Sequence, residues 1–294
     1  MRRDPTLTWG RPAHPDYAGL KVAVIGGTGG IGRSVAKALA AEGAAVTVVG
    51  RTFKDRDVSG LTFVQADLSS IAGAERVARE LPVETMDAVV FTTGVMAGPK
   101  REVTRDGIEK DLAISYLSRL IILRAIAARL GAKRPDGRQR PRVFVFGYPG
   151  DDQKAVVDDL NSERSYSRSH AHSNTVAGNE ALVLDAARRN PAIDTFGLNP
   201  GFVKTGIRGN FFGGDNWLYR MSEAVTGFLT KDPGDYARTV APLLVAPELS
   251  DRSGAMFDSK ARAVLPSAWL DESATTRLID ASEALLKRKG WRTT

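Results

Sequence analysis

The strongest constraint on this chain is a glycine-rich turn between an apolar segment and a helical pattern. Residues 22–25 form the apolar segment, residues 25–32 read IGGTGGIG, and residues 33–39 carry apolar side chains at helical spacing. A strand, a glycine turn and a helix in this order present free backbone N–H groups and a positive helix end to phosphates. The sequence therefore predicts a dinucleotide-binding site. Its candidate residues are Gly26, Thr28, Gly29, Gly30, Ile31 and Gly32.

Apolar runs alternate with helical patterns along most of the 294 residues, which indicates repeated β-α-β units around a parallel sheet. Strands are predicted at 22–25, 45–50, 61–65, 86–92, 142–146, 194–198 and near 255–257. Helices are predicted at 33–39, 71–81, 104–130, 173–189 and 272–289, with a further start at Asp232-Pro233. The predicted fold class is α/β: a single-domain, Rossmann-type, doubly wound parallel sheet with flanking helices. Residues 1–20 are predicted to form an irregular N-terminal arm and residues 21–294 the domain.

Composition narrows the function classes. The chain has no cysteine, which excludes disulfides, thiolate metal sites and cysteine nucleophiles. No apolar segment is long enough for a membrane span or a signal sequence. The net charge of +7 comes from 41 basic and 34 acidic residues, and the densest basic cluster, at 133–142, contains no aromatic residue. We therefore expect a cytoplasmic protein with no nucleic-acid partner, no membrane association and no metal.

The residues after the second predicted strand bear on the choice of cofactor. Arg51 and Thr52 follow this strand, Lys54 and Arg56 come next, and no acid precedes Asp55. NAD sites place an acid here to bind the ribose 2′-hydroxyl, whereas NADP sites place a cation. An arginine also matches the geometry of a 2′-phosphate. The sequence therefore predicts NADP(H) as the cofactor, in preference to NAD(H), with Arg51 and Thr52 at its 2′-phosphate.

Several further motifs, in the right order, resemble the short-chain dehydrogenase/reductase family over residues 21–270, most closely its retinol-dehydrogenase-like branch. They are the glycine turn, Asp67-Leu68, Thr92-Thr93-Gly94, the segment TRDGIE at 104–109 and the segment NPGFVKT at 199–205. The cofactor residues that the resemblance adds are Asp67, Leu68, Thr93, Gly94, Pro200, Gly201, Val203 and Thr205. The resemblance places Asp67 and Leu68 near the adenine. It places Pro200, Gly201, Val203 and Thr205 near the nicotinamide.

The catalytic groups of that family look substituted here. The family reduces carbonyls with a Tyr acid/base, a Lys that lowers its pKa, a Ser that orients the carbonyl and an Asn that holds the proton relay. Ser115 stands where the resemblance places the Asn, and Gly147-Tyr148 stands where it places the Ser. Ser115 and Tyr148 are therefore candidate groups around the cleft, while Tyr116 is predicted to point into helix packing.

Two alignments are open for the family's Tyr-x-x-x-Lys pair. One puts His170 in place of the Lys after Tyr166; the other puts His170 in place of the Tyr and Asn174 in place of the Lys. Residues 159–166 resemble the branch's Asp-Leu-Asn-x-Glu-x-x-Tyr, whose Tyr is not catalytic, and this favours the second alignment. We predict His170 as the proton donor, since an imidazole with a pKa of about 6.5 exchanges protons at neutral pH, and Asn174 beside the cofactor. His172 is predicted to face elsewhere, and the alternative that His170 is only a polar residue at a helix start stays open.

The favoured function is an NADP(H)-dependent oxidoreductase with non-standard acid/base groups, acting on an activated C=C, C=N or carbonyl bond. The aromatic residues in the loop at 206–219 indicate a small apolar or aromatic substrate. The alternatives are a catalytically silent NADP-binding sensor and a non-redox isomerase or cyclase on the same scaffold. We also predict a homodimer or homotetramer. Its surfaces would be residues 118–130 and the helix after His170, with close approach at Ala177, Ala181, Ala186 and Ala187.

Overall fold

One eight-stranded sheet organises the computed structural model, which describes residues 1–135, 137–201 and 232–292. The strand order is β3-β2-β1-β4-β5-β6-β7-β8, and neighbours pair in parallel except for β7 and β8. The strands are β1 Lys21–Ile25, β2 Ala45–Gly50, β3 Leu61–Gln65, β4 Ala88–Phe91, β5 Arg142–Phe146, β6 Asp194–Leu198, β7 Met256–Phe257 and β8 Ala263–Val264. The helices are α1 Gly30–Ala41, α2 Ile71–Glu80, α3 Lys110–Leu112, α4 Ser118–Ile126, α5 Arg168–Arg189, α6 Pro233–Val240 and α7 Glu272–Arg288.

Helices cover both faces of the sheet. Helices α2, α3, α4, α5 and α7 pack on one face, and α1 and α6 pack on the other. Successive strand residues serve opposite faces, as the pleat requires: Val22 and Val24 of β1 contribute to the α1 side, and Ala23 and Ile25 to the α2 side. Burial on both faces explains why these strands read as continuous apolar runs. The predicted α/β class with a doubly wound sheet is confirmed.

The predicted helix at 104–130 begins later and is less regular than expected. Residues 103–109 form a tight turn, in which Gly107 has a φ of +70° and Val103 bridges to Glu109. The Glu109 side chain then accepts the Leu112 N–H and caps α3. Between α3 and α4 the backbone makes a π-helical turn over Ala113–Leu117. Such wide turns are frequent at functional sites.

The fifth helix begins earlier than predicted, at Arg168 and not at residue 173. The Ser167 hydroxyl accepts the His170 N–H and caps the first turn. Strand β8 was not predicted, because its two residues have no pattern of their own and pair only through β7 and the N-terminal arm.

The N-terminal arm extends the sheet edge before it crosses to β1. Arg3 pairs antiparallel with Val264, and the Asp4 N–H donates to the Ala263 carbonyl at 3.1 Å. Further along, Leu7 and Tyr17 are buried in the core between the sheet, α1 and α6. The arm therefore shields the outer strand and contributes to one of the two cores.

Helix α7 packs on α5 and is linked to α4 by an ion pair, and most residues of the two helices predicted to form the oligomer surface are buried within the chain. The buried Tyr116 hydroxyl donates to Ser282 on α7 at 2.9 Å, as expected for a residue in helix packing. Arg124 of α4 pairs with Asp185 of α5 and Glu283 of α7, at 2.7 and 2.9 Å. The alanines predicted to face a partner are largely buried inside the chain itself. Those with no exposed surface are Ala177, Ala181 and Ala186.

The contact of Tyr116 with α5 yields a stability prediction. A Cβ at Gly178 would lie 2.5 Å from Cε1 of the Tyr116 ring, closer than packing allows. Gly178→Ala is therefore expected to lower the free energy of unfolding by about 1–3 kcal/mol, measured by urea denaturation. In a Tyr116→Leu background the same substitution is expected to cost clearly less, because the ring is gone. Equal costs in the two backgrounds would contradict the contact.

Candidate active site

The glycine turn after β1 forms a cradle at the carboxyl edge of the sheet. Gly26 has a φ of +93°, and a Cβ there would lie 2.5 Å from the Thr93 nitrogen; a Cβ at Gly32 would collide with the Thr92 hydroxyl. Gly29 caps α1 without any side-chain hydrogen bond, and a Cβ on it would meet nothing within 4 Å. A close backbone approach, an uncapped helix start and open space are what a pyrophosphate requires. The residues present therefore fit a dinucleotide.

The loop after β2 presents cations beside this cradle. Arg51 and Thr52 are exposed, and the stack of Phe53 on Phe63 at 4.9 Å fixes the loop against β3. Asp55 is buried, and Arg33 of α1 grips its carboxylate with two hydrogen bonds, one of 2.7 Å. This bond lowers the pKa of Asp55. Asp55, the first acid of the loop, is therefore paired with Arg33 of α1, whereas Arg51 is exposed.

Asp67 and Leu68 follow β3 on the same edge of the sheet. The Ser69 N–H donates to the exposed Asp67 carboxylate at 3.0 Å, and this bond, helped by the charges of Arg51 and Arg105, lowers the pKa of Asp67. Leu68 is buried. The structure therefore brings the two residues predicted near the adenine to the side of the cleft where Arg51 lies.

Residues after β4, β5 and β6 meet at the opposite end of the cleft. Thr93 and Gly94 are half-buried after β4. The Tyr148 hydroxyl donates to the Gly201 carbonyl at 3.3 Å, and the Gly201 N–H donates to Asn199 at 2.8 Å. Pro200 lies between Asn199 and Gly201 in the chain. The predicted Val203 and Thr205, and the aromatic loop at 206–219, lie outside the described residues.

A buried arginine ties these strand ends together from below. The Arg119 guanidinium donates to the carbonyls of Thr93 and Phe146, and to the Asn179 side chain at 2.8 Å. Burial lowers the pKa of Arg119 to about 9, while the charge of Asp111 acts in the opposite direction. The group is therefore still cationic at neutral pH. Sequence reasoning missed Arg119; the only signal was a charged residue at the second position of a largely apolar helix.

The candidate acid/base residues are not all in the cleft. Ser115 is buried in the π-helical turn, where its hydroxyl exchanges hydrogen bonds with the backbone of Val95 at 2.9 and 3.2 Å. Tyr148 is half-buried beside Gly201. His170 is exposed in the first turn of α5, where its backbone N–H is held by Ser167. Tyr148 therefore contacts Gly201 and Ser115 lies beside Gly94, whereas His170 is bonded to Ser167.

Asn174 and Tyr166 serve loops beside the cleft. The buried Asn174 amide accepts the Val156 N–H at 2.7 Å and donates to the Leu160 carbonyl at 3.0 Å. The Tyr166 hydroxyl donates to the Gly98 carbonyl at 2.6 Å. Both polar groups of the Asn174 amide are therefore bonded to the backbone of residues 156–160.

His172 lies in the cleft, with its ring between a buried carboxylate and Tyr148. Its Nδ1 is 2.8 Å from Oδ2 of Asp111, which is fully buried, and its ring meets the Tyr148 ring edge-on at 6.2 Å between centroids. Burial favours the neutral imidazole, but the hydrogen bond and charge of Asp111, together with Glu109, raise the pKa of His172 above its ordinary 6.5. The sequence signal was Ser167: as the helix cap, it places His172 a full turn inside α5.

Comparisons with known proteins agree with this geometry. Residues 21–138 match the family model described as short chain dehydrogenase. An uncharacterized oxidoreductase of Saccharomyces cerevisiae is 43% identical, with 98% of this chain and 95% of that protein covered. A polyprenol dehydrogenase of Mus musculus is 29% identical, covering 91% of this chain and 84% of its own length. A short-chain dehydrogenase/reductase from Serratia marcescens superposes with a TM-score of 0.61 at 20% identity, over 83% of this chain and 97% of its own.

The chain therefore belongs to the short-chain dehydrogenase/reductase family, whose members bind NAD(H) or NADP(H). The family prediction made from the glycine turn and the later motifs is confirmed.

The contacts of Arg119 predict that its replacement strongly lowers the free energy of unfolding. Arg119→Met leaves two strand-end carbonyls and the Asn179 side chain without their donor, and we expect it to lower the free energy of unfolding by about 3 kcal/mol or more. Urea denaturation measures this change. Arg129→Met is the matched control, since Arg129 is a half-exposed arginine just after α4 that pairs with Glu84, and it is expected to cost less than about 1 kcal/mol. Similar costs for the two variants would contradict the structural role of Arg119.

Proposed function

We propose that this chain is an NADP(H)-dependent oxidoreductase that reduces a C=O, C=C or C=N bond of a small apolar or aromatic metabolite. The observation that carries the proposal is the phosphate cradle at Gly26 to Gly32 beside an exposed Arg51, with the loop's first acid already paired to α1. Membership of an oxidoreductase family supports the reaction class.

The chain's own residues divide the binding work along the cleft. The start of α1 holds the pyrophosphate, Arg51 and Thr52 hold the 2′-phosphate, and Asp67 and Leu68 border the adenine. Thr93, Gly94, Pro200 and Gly201 border the nicotinamide. Arg119 holds the Thr93 carbonyl, and the Tyr148 hydroxyl holds the Gly201 carbonyl. When bound, the reduced cofactor supplies a hydride to the substrate, and the protein positions the two reactants and excludes water.

The preference for NADP(H) rests on a charge argument. A carboxylate at the end of β2 would bind the 2′-hydroxyl of NAD and repel a 2′-phosphate. Asp55 is the first acid after β2, and it is buried against Arg33 with Lys37 at 4.0 Å. The exposed charge at this position is therefore positive, which favours the phosphorylated cofactor.

Calorimetry on the purified chain tests this preference. We expect wild type to bind NADPH at least about tenfold more tightly than NADH, a difference of about 1.4 kcal/mol. Arg51→Asp is expected to erase or reverse the difference, because a carboxylate replaces the cation. Arg277→Asp makes the same charge change on α7, away from the cleft, and should leave both affinities as in wild type. Equal wild-type affinities for the two cofactors would refute the NADP(H) assignment.

Two observations support an apolar or aromatic substrate. The relative named polyprenol dehydrogenase acts, by its name, on an apolar alcohol, and the sequence at 206–219 is rich in aromatic residues. Absorbance of reduced nicotinamide, followed with benzil, 2-cyclohexen-1-one and a cyclic imine, tests reduction directly. Tight NADPH binding without oxidation by any of these compounds would favour the alternative of a silent sensor. Conversion of a compound without any change in the cofactor would favour the isomerase or cyclase alternative.

Location and assembly complete the proposal. Among the described residues, no helix is both long and apolar enough to cross a membrane. We propose a cytoplasmic protein, which cell fractionation tests.

We further propose a homodimer or homotetramer, as is common in the family, with an interface outside α4 and α5, because most residues of these two helices are buried within the chain. Sedimentation velocity at micromolar concentration is expected to show one of these assemblies. A single monomeric species would contradict the prediction.

A further inference from the structure

We propose that His172, held by the buried carboxylate of Asp111, is the proton donor of this enzyme and replaces the family's tyrosine and lysine. This inference rests on the proposed reductase function and names the group that completes its reaction. It assigns the role to His172 in place of His170, which is exposed in the first turn of α5.

Asp111 fixes the orientation of the imidazole. Its Oδ2 accepts from His172 Nδ1 at 2.8 Å and from the Ala97 N–H at 3.2 Å, and its side chain is fully buried. A carboxylate is an acceptor only, so the proton of a neutral imidazole must sit on Nδ1. Nε2 is then the atom that gains and loses a proton, which is how an aspartate prepares a histidine for proton transfer.

The His172 ring lies beside Tyr148, at the strand ends that border the cleft. The His172 side chain is 22% exposed, so one part of the ring reaches solvent or substrate while Nδ1 is buried. The ring meets Tyr148 edge-on, and the Tyr148 hydroxyl is bonded to the Gly201 carbonyl. Tyr148 therefore links the histidine to the loop that borders the predicted nicotinamide end.

Charges around the ring favour its protonated form. Asp111 faces it from α3 and Glu109 from the N-cap of α3. Tyr148 faces it from the end of β5, and Arg119 acts more remotely through Asp111. One helical turn after His172 the chain has Val176, which is buried, so no amine stands at the spacing of the family's lysine. A tyrosine with a pKa near 10 would need that amine, whereas an imidazole does not.

The proton balance of the reduction is complete with these groups. As the hydride adds to the substrate carbon, the π electron pair of the C=O, C=C or C=N bond moves to the far atom. That atom takes the Nε2 proton, and the imidazolium becomes a neutral imidazole. Water then returns one proton to Nε2. Asp111 keeps its hydrogen bond to Nδ1 throughout and acts as a positioning residue.

An NMR titration of the full chain tests the dyad without any substrate. The chain has three histidines, so ¹⁵N imidazole signals are assigned with His14→Gln, His170→Gln and His172→Gln. We expect His172 to titrate above 6.5 with Nδ1 protonated in its neutral form. In Asp111→Asn the His172 pKa is expected to fall below the wild-type value, because burial then acts without the carboxylate. Unchanged His172 titration in Asp111→Asn would overturn the dyad.

Kinetics with NADPH test whether His172 is the proton donor. The substrate is whichever of benzil, 2-cyclohexen-1-one and the cyclic imine the wild type reduces. His172→Gln is expected to lower kcat by about 10²–10⁴-fold with NADPH affinity unchanged. The wild-type rate should fall as the pH rises through the His172 pKa, since the protonated form is the reactant, and Asp111→Asn should move this fall to lower pH. His14→Gln, an exposed histidine in the arm, is the matched control and should behave as wild type.

The outcomes separate this inference from the proposed function. Full activity in His172→Gln, or a loss confined to His170→Gln, would overturn the donor assignment while leaving the reductase intact. If NADPH binds but wild type reduces no probe, the reductase proposal fails, and with it the donor role. Circular dichroism of Asp111→Asn confirms that any change is not unfolding, since asparagine keeps the size of the side chain.

Discussion

The close approach of the backbones that follow β1 and β4 is the constraint on which the whole cleft depends. The Ile25 carbonyl accepts from the backbone N–H groups of Thr92 and Thr93, at 2.8 and 3.1 Å, and from the Thr92 hydroxyl at 3.0 Å. A side chain at Gly26 would occupy the space of these atoms. Because glycine leaves that space free, α1 can start directly over the sheet edge, where its N-terminus is useful to an anion.

Two opposite charges are buried below the cleft, near the same strand ends. Arg119 donates to the ends of β4 and β5, and Asp111 accepts from the loop after β4 and from His172. Each ion alone would be costly to bury, and each reduces the cost of the other. The pair leaves the interior close to neutral while placing a cation under the strand ends and an anion behind the imidazole.

Strands and glycine positions were predictable because they depend on local patterns. The buried parallel strands are continuous apolar runs, and the cradle is a glycine motif with a strand before it and a helix after it. The position of the proposed acid/base group was not predictable in the same way. It depends on the phase of α5, and almost every residue from Asn174 to Ala186 is buried, so the sequence shows no single apolar stripe. The sequence prediction therefore assigned the proton donor to His170 and expected His172 to face elsewhere.

The phase of α5 was fixed by a hydrogen bond that the sequence shows only as one serine among several. With Ser167 as the cap, Ala171 turns inward, His170 turns outward and His172 lies between them. The π-helical turn at Ala113–Leu117 had no sequence signature either, and it determines where Ser115 and the helix beyond it lie.

The state of Asp111 argues against a scaffold that has merely lost its catalytic residues. One oxygen serves both His172 and the Ala97 N–H, and the other, Oδ1, is buried with no hydrogen-bond partner among the described residues. An aspartate needed only to hold the loop would be expected to use both oxygens, since an unsatisfied buried carboxylate oxygen is costly. A cofactor-binding protein without turnover would be more stable with an apolar residue here. A carboxylate kept at this cost beside a partly exposed imidazole supports the proposed role in proton transfer.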